Sequence, residues 1–111
     1  MEHAIIDFLT GLNYSVTVVN SLDRALAEIK KRSFHLYVSD DIYPIKWGGS
    51  EHAGACFELF EAVSKIRGKR INFIIFSDEK DIAKACQKFG ITHFKKHPLD
   101  RKELTKYLES I

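Results

Sequence analysis

Residues 34–48 read FHLYVSDDIYPIKWG, and the fold turns on how that stretch is taken. Leu36, Tyr37, Val38 and Ser39 form a short β-favouring run that stops on two adjacent carboxylates, Asp40 and Asp41. Pro44 and the pair Gly48-Gly49 break the chain soon afterwards. An apolar run of this length, stopped by turn chemistry, predicts a buried strand. In parallel α/β sheets, ligand and catalytic sites lie beyond the carboxyl ends of the strands. Asp40 stands at that position.

Working outward, the flanks alternate in period. Ala4, Ile5, Ile6, Phe8, Leu9 and Leu12 have helical spacing, which predicts a first helix over 3–12 closed by Asn13 in a left-handed conformation. The rival is a strand over 4–8 ending on Asp7. Residues 15–19 are β-branched apart from Ser15 and predict a strand. Ser21 then caps a helix with the stripe Leu22, Ala25, Leu26 and Ile29, and its basic end (Lys30, Lys31, Arg32) suits the macrodipole.

Beyond the opening stretch, 42–54 reads as a long loop carrying Trp47 and three glycines. A helix follows over 55–67. Residues 71–76 are the most hydrophobic run, and so the central strand. Ser77-Asp78 opens a helix to Phe89, stopped by Gly90. Residues 91–97 form a weaker, more basic strand, nearer an edge and ended by Pro98. Asp100 and Glu103 have capping-box spacing before a last helix with Leu104, Tyr107, Leu108 and Ile111 inward. Strict alternation of helix and strand predicts an α/β fold: a parallel sheet of about four strands between two helical layers.

A chain of 111 residues is one domain, 1–111, with room for a core. A formal net charge of +2 gives no reason to expect nucleic acid or an anionic membrane as partner. Cys56 and Cys86 match no metal or redox spacing, and each sits beside apolar neighbours in a helical pattern, so both are expected as buried, reduced thiols. No run approaches the roughly 18 apolar residues of a membrane-spanning helix, and no basic flank or cleavage site marks a signal peptide, so the expected location is the cytoplasm. Neither a G-x-G-x-x-G, a P-loop nor a nucleophile elbow is present, and a small nucleotide-binding α/β enzyme is only a distant alternative to a non-enzymatic role. His35, His52 and His93 are expected at the surface.

Five landmarks, in order and at the right distances, resemble the receiver domains of two-component response regulators, which have a CheY-like, flavodoxin-like fold. The resemblance covers nearly the whole chain. Asp40 looks like the phosphoacceptor closing the third receiver strand, with Pro44 and Gly48 at the family's D-x-x-x-P-x-x-x-G spacing. Ser77 matches the hydroxyl residue that bonds the phosphoryl group. Ala85 to Gly90, then Phe94 and His97-Pro98, is similar to the A-x-x-x-x-G…Y/F…K-P signature, with Phe94 at the switch aromatic.

The departures matter equally. The family's first strand, with its Mg²⁺-holding acidic pair, is missing, and His97 stands at the family's lysine position. Asp41 replaces an aliphatic residue, and the glycine-rich loop is longer than usual.

From this resemblance follow the functional expectations. Phosphoryl transfer to a carboxylate requires an exposed nucleophilic Asp, a neutralising cation and a hydroxyl donor. Asp40 and Ser77 remain, with Asp41 as a weak second metal ligand, provided the backbone has left strand geometry there. His97 is a pH-dependent stand-in for lysine. The expectation is therefore a degenerate (pseudo-)receiver, signalling through protein–protein contacts. The alternative is a working phosphoreceiver, fed by a histidine kinase and using Mg²⁺ at Asp40. No other cofactor is implied.

The contact surface expected is Trp47, Phe94, Lys95, Lys96, Arg101, Lys102 and Lys106, facing a histidine kinase or an output protein. The missing strand would lie between 15–19 and 36–40, leaving a gap of roughly 10 Å. That gap could be closed by a four-stranded sheet or by a homodimer, or it could mark a truncated polypeptide.

Overall fold

The computed structural model describes residues 3–46, 48–68 and 70–111. Five helices occur among them: α1 (His3–Gly11), α2 (Leu22–Lys31), α3 (Ala55–Arg67), α4 (Lys80–Phe89) and α5 (Arg101–Ser110). Three strands, β1 (Tyr37–Asp40), β4 (Phe73–Phe76) and β5 (Thr92–Phe94), form a parallel sheet in the order β1-β4-β5. A small antiparallel pair, β2 (Ile42–Pro44) and β3 (Glu51–Ala53), stands beside it.

The central strand explains the layering. All four residues of β4 are buried, and alternate side chains point to opposite faces. Phe73 and Ile75 join Leu22, Ala25 and Ile29 of α2, Leu59 and Val63 of α3, and Cys86 of α4. Ile74 and Phe76 join Ile5 and Leu9 of α1 and Leu104 and Leu108 of α5. Helices thus cover both faces of the parallel sheet, as the alternating pattern predicts.

Local chemistry sets the helix ends. Asn13, at φ +68°, takes the left-handed conformation after α1. Gly90, at φ +71°, closes α4, its N–H donating to the carbonyls of Cys86 and Gln87. The Asp100 carboxylate accepts the Glu103 N–H at 3.0 Å and caps α5. Ser21 is the N-cap of α2, but its hydroxyl donates to the Asp23 carboxylate rather than capping a backbone N–H directly.

Three expectations need correction. The parallel sheet has three strands rather than about four, because residues 15–19 join no ladder. Their β-branched side chains favour an extended backbone, but a ladder also needs a partner at pairing distance. Between 15–19 and β1 there is instead a groove of about 430 Å³, lined by Leu9, Tyr14, Val16, Val18, Leu36 and Val38 among others. The second correction concerns 42–54, which carries the β2–β3 pair with Tyr43 opposite His52. Thirdly, α4 starts at Lys80 rather than at Ser77-Asp78, since those two side chains are engaged elsewhere.

Candidate functional site

The carboxyl ends of β1, β4 and β5 bring four side chains together: Asp40, Asp41, Ser77 and Lys96. β1 ends at Asp40 and the chain bends at Asp41. That departure from strand geometry lets two sequential carboxylates share one cation, which a continuing pleat would forbid. The Asp40 carboxylate also accepts the N–H of Asp41 at 3.0 Å, which tightens the bend.

The Lys96 ammonium lies between the two acids. It donates to Asp40 Oδ1, and to Asp41 Oδ1 at 2.9 Å. The other Asp41 oxygen, Oδ2, accepts the Ser77 hydroxyl at 2.7 Å. Ser77 Oγ in turn accepts the Glu79 N–H at 3.0 Å. Asp41 is buried, at 6% exposure, and Ser77 fully so. Burial pushes the Asp41 carboxyl up, yet the bonds from Lys96 and Ser77 outweigh it and hold the group below the usual carboxylate value. Burial likewise works against the Lys96 ammonium, while Asp40 and Asp41 together hold its proton more tightly than in water.

A second set of contacts aims Lys96. Asp78 Oδ1 accepts the backbone N–H of Lys96 at 2.9 Å and that of His97 at 3.1 Å, and Asp78 Oδ2 lies 2.8 Å from His97 Nδ1. The His97 hydrogen bond is the main reason the Asp78 carboxyl sits below its usual value. Asp78 therefore clamps the segment after β5 in place. His93 adds a tie, its Nε2–H donating to the Ser77 carbonyl at 2.8 Å.

Several sequence expectations change here. The ammonium at Asp40 belongs to Lys96, whereas His97, which stands where the family's lysine would be, pairs with Asp78. Lys96, expected on the contact surface, turns inward to the acids. Lys95, Arg101, Lys102 and Lys106 remain exposed, Lys106 within 3.5 Å of Glu103. Phe94 is half-buried, stacked on Phe76 at 5.9 Å and edge-on to Tyr107 at 6.2 Å. His93 is bonded rather than free at the surface. Trp47 lies outside the described residues.

One signal could have pointed to this corner: an adjacent acid pair needs a cation, and Lys95 and Lys96 follow the last strand, although β5 ends at Phe94 and its period of two does not extend to choose between them.

Beside this cluster, beneath the β2–β3 pair, is a cavity of about 230 Å³ lined by Ser21, Ser39, Asp40, Tyr43 and Glu51 among others. Its ceiling is tied down. The Ser39 hydroxyl donates to the Asp40 carbonyl at 2.8 Å and lies 3.2 Å from the Tyr43 hydroxyl, and the Asp23 N–H donates to the Ile45 carbonyl at 2.8 Å.

The receiver resemblance implies Mg²⁺. Among the described residues no three His, Cys, Asp or Glu side chains converge on a point, and the two carboxylates that do meet already share an ammonium. The donor set does not fit a divalent cation while Lys96 is in place.

Comparison with protein-family models, curated proteins and solved structures gave no match.

Proposed function

We propose that this chain is a receiver-like signal-transduction domain of the two-component type whose phosphoacceptor machinery has degenerated, and that it works through protein–protein contacts. One observation carries the reading: the Lys96 ammonium occupies the space between Asp40 and Asp41. A phosphoacceptor must present a free carboxylate oxygen to an incoming phosphoryl group, with positive charge arranged around that group. In this cluster the Lys96 ammonium already sits on Asp40 Oδ1 and Asp41 Oδ1, where a divalent cation would have to bind.

The support comes from several directions. Asp40, Pro44 and Gly48 have the receiver spacing, and Ser77 ends the neighbouring strand on the same side as the acids. The cluster lies at the carboxyl ends of a parallel sheet with helices on both faces. The exposed cations Lys95, Arg101 and Lys102 offer an acidic kinase or output protein its contact surface.

The test is addition of beryllofluoride with Mg²⁺, followed by amide chemical shifts, together with acetyl phosphate followed by intact mass. The degenerate reading expects no specific shifts at Asp40, Ser77 and Phe94 and no phosphoryl mass increment. Saturable shifts at those three residues, with a mass increment lost in Asp40→Asn, would identify a working phosphoreceiver instead.

A further inference from the structure

Both carboxylates of the acid–lysine cluster are aimed at a common point by bonds in which Lys96 takes no part. Asp41 Oδ2 accepts the Ser77 hydroxyl at 2.7 Å, which turns Oδ1 towards the lysine. Asp40 Oδ1 accepts the Asp41 N–H at 3.0 Å, which fixes that oxygen at the bend. The Lys96 ammonium then bonds both Oδ1 atoms. Two carboxylate oxygens converging on one point, with water at hand, also suit a hard divalent cation, since Mg²⁺ takes one or two carboxylates and keeps several waters. Water has access here: the side chains of Asp40 and Lys96 are 22% and 19% exposed, and the cavity under β2–β3 reaches Asp40.

Lys96 holds two advantages over a dissolved ion. It is tethered to the chain, so it acts at an effective concentration that a free cation must exceed. Its backbone is also pinned, because Asp78 Oδ1 accepts the N–H of Lys96 at 2.9 Å and that of His97 at 3.1 Å. Through these contacts one ammonium joins the ends of all three parallel strands. β1 contributes Asp40 and Asp41, Ser77 and Asp78 follow β4, and Lys96 itself follows β5. A divalent cation at the same point would meet the ammonium as a like charge at contact distance, and so would have to break two ion pairs to enter.

We infer that Lys96 is a built-in substitute for a divalent cation: it ties the three strand ends as a bound metal would, makes the folded chain indifferent to divalent cations, and covers a hard-cation site that Asp40 and Asp41 still form. Because Ser77 and the Asp41 N–H aim the two oxygens, their convergence outlasts removal of the lysine. A small side chain at position 96 therefore converts a metal-independent protein into one that a metal stabilises.

Thermal melts of the wild type and of Lys96→Ala, in EDTA and across titrations of MgCl₂ and MnCl₂ at matched ionic strength, test this. The wild-type midpoint should move by less than about 1 °C, whereas Lys96→Ala should melt lower in EDTA and recover by about 4 °C or more with either cation. Lys96→Ala combined with Asp41→Asn should lose that recovery. Should Lys96→Ala be unfolded in EDTA, far-ultraviolet circular dichroism follows its cation-driven refolding in the same titration. Paramagnetic Mn²⁺ should broaden the amides of Asp41, Ser77 and Lys96 in no wild-type spectrum. A wild-type response at those amides or in the midpoint, a Lys96→Ala chain that the cations leave unchanged, or a recovery that survives Asp41→Asn would each overturn the inference. A phosphoryl mass increment without a wild-type cation response would overturn the degenerate-receiver reading alone.

Discussion

Lys96 answers two carboxylates at once, and its loss therefore costs more than one ion pair. Replacing it with Gln removes the ammonium that Asp40 and the buried Asp41 share. A broken buried pair costs 3–5 kcal/mol in general, and the 19% exposure of Lys96 lets solvent relieve part of this, so we expect about 2 kcal/mol in chemical denaturation. Asp41→Asn should cost less, because the amide can still accept from Ser77.

The same contacts set an acid limit on stability. The folded-state value of Asp41 lies below its ordinary 3.8, so its stabilisation is present above that pH and is lost as the pH falls through the lower folded value. Lys96 is shifted up from 10.5, so its share is present below that pH and fades as the pH rises past it. Thermal melts from pH 2 to 5 should show a steeper loss for the wild type than for Asp41→Asn. Parallel acid limbs would remove Asp41 from the account.

At this scale the sequence was only partly legible. Asp40 and Ser77 could be placed by strand ends alone. Lys96 could not be told from Lys95 without knowing where β5 stops and that Asp78 fixes the turn after it.

At the scale of elements, capping chemistry carried most of the information. Helix α3 occupies the 55–67 predicted from its stripe, and Gly90 and Asp100 sit where glycine stops and acidic caps are expected. Gly90 at φ +71° has open space where a Cβ would go, so Gly90→Ala should cost only the left-handed backbone penalty, about 1 kcal/mol. Asp100→Ala should cost a similar ~1 kcal/mol through the lost cap on α5. Urea denaturation of both variants checks the pair, and a much larger effect at Gly90 would mean packing strain that the open space excludes. Residues 15–19 show the limit of this kind of reading. Propensity governs the dihedral angles of one strand, but ladder formation is a property of two, and no periodicity within 15–19 reports on its partner. The β2–β3 pair was missed for a related reason, since Pro44 and the glycines dominate the local signal while Tyr43 packs beneath.

For the whole molecule, alternation of helical and strand periods was enough to give a parallel sheet with helices on both faces. No helix among the described residues is long and apolar enough to cross a membrane. The thiols report on the integrity of the α2–α3–α4 face. Cys56 and Cys86 are both free and fully buried, and burial pushes the Cys56 thiol up to about 12 and raises that of Cys86. Iodoacetamide at pH 8 should leave both unmodified in the native protein and alkylate both in denaturant, as read by intact mass. Fast native labelling of either would show that this face opens without global unfolding.

One consequence of β4 concerns length rather than identity. Its four buried residues serve the two cores in strict turn, Phe73 and Ile75 on one side, Ile74 and Phe76 on the other. Adding or deleting a single residue within it would exchange every side chain downstream of the change between the two cores and, at the same time, carry Ser77 away from Asp41. In the turn joining β2 to β3, the described residues Ile45, Lys46, Gly48, Gly49 and Ser50 belong to neither core cluster. Over evolutionary time this chain can therefore vary in length around Gly48 and Gly49, while the spacing from Phe73 to Ser77 stays fixed even as its residues are exchanged for others of similar volume.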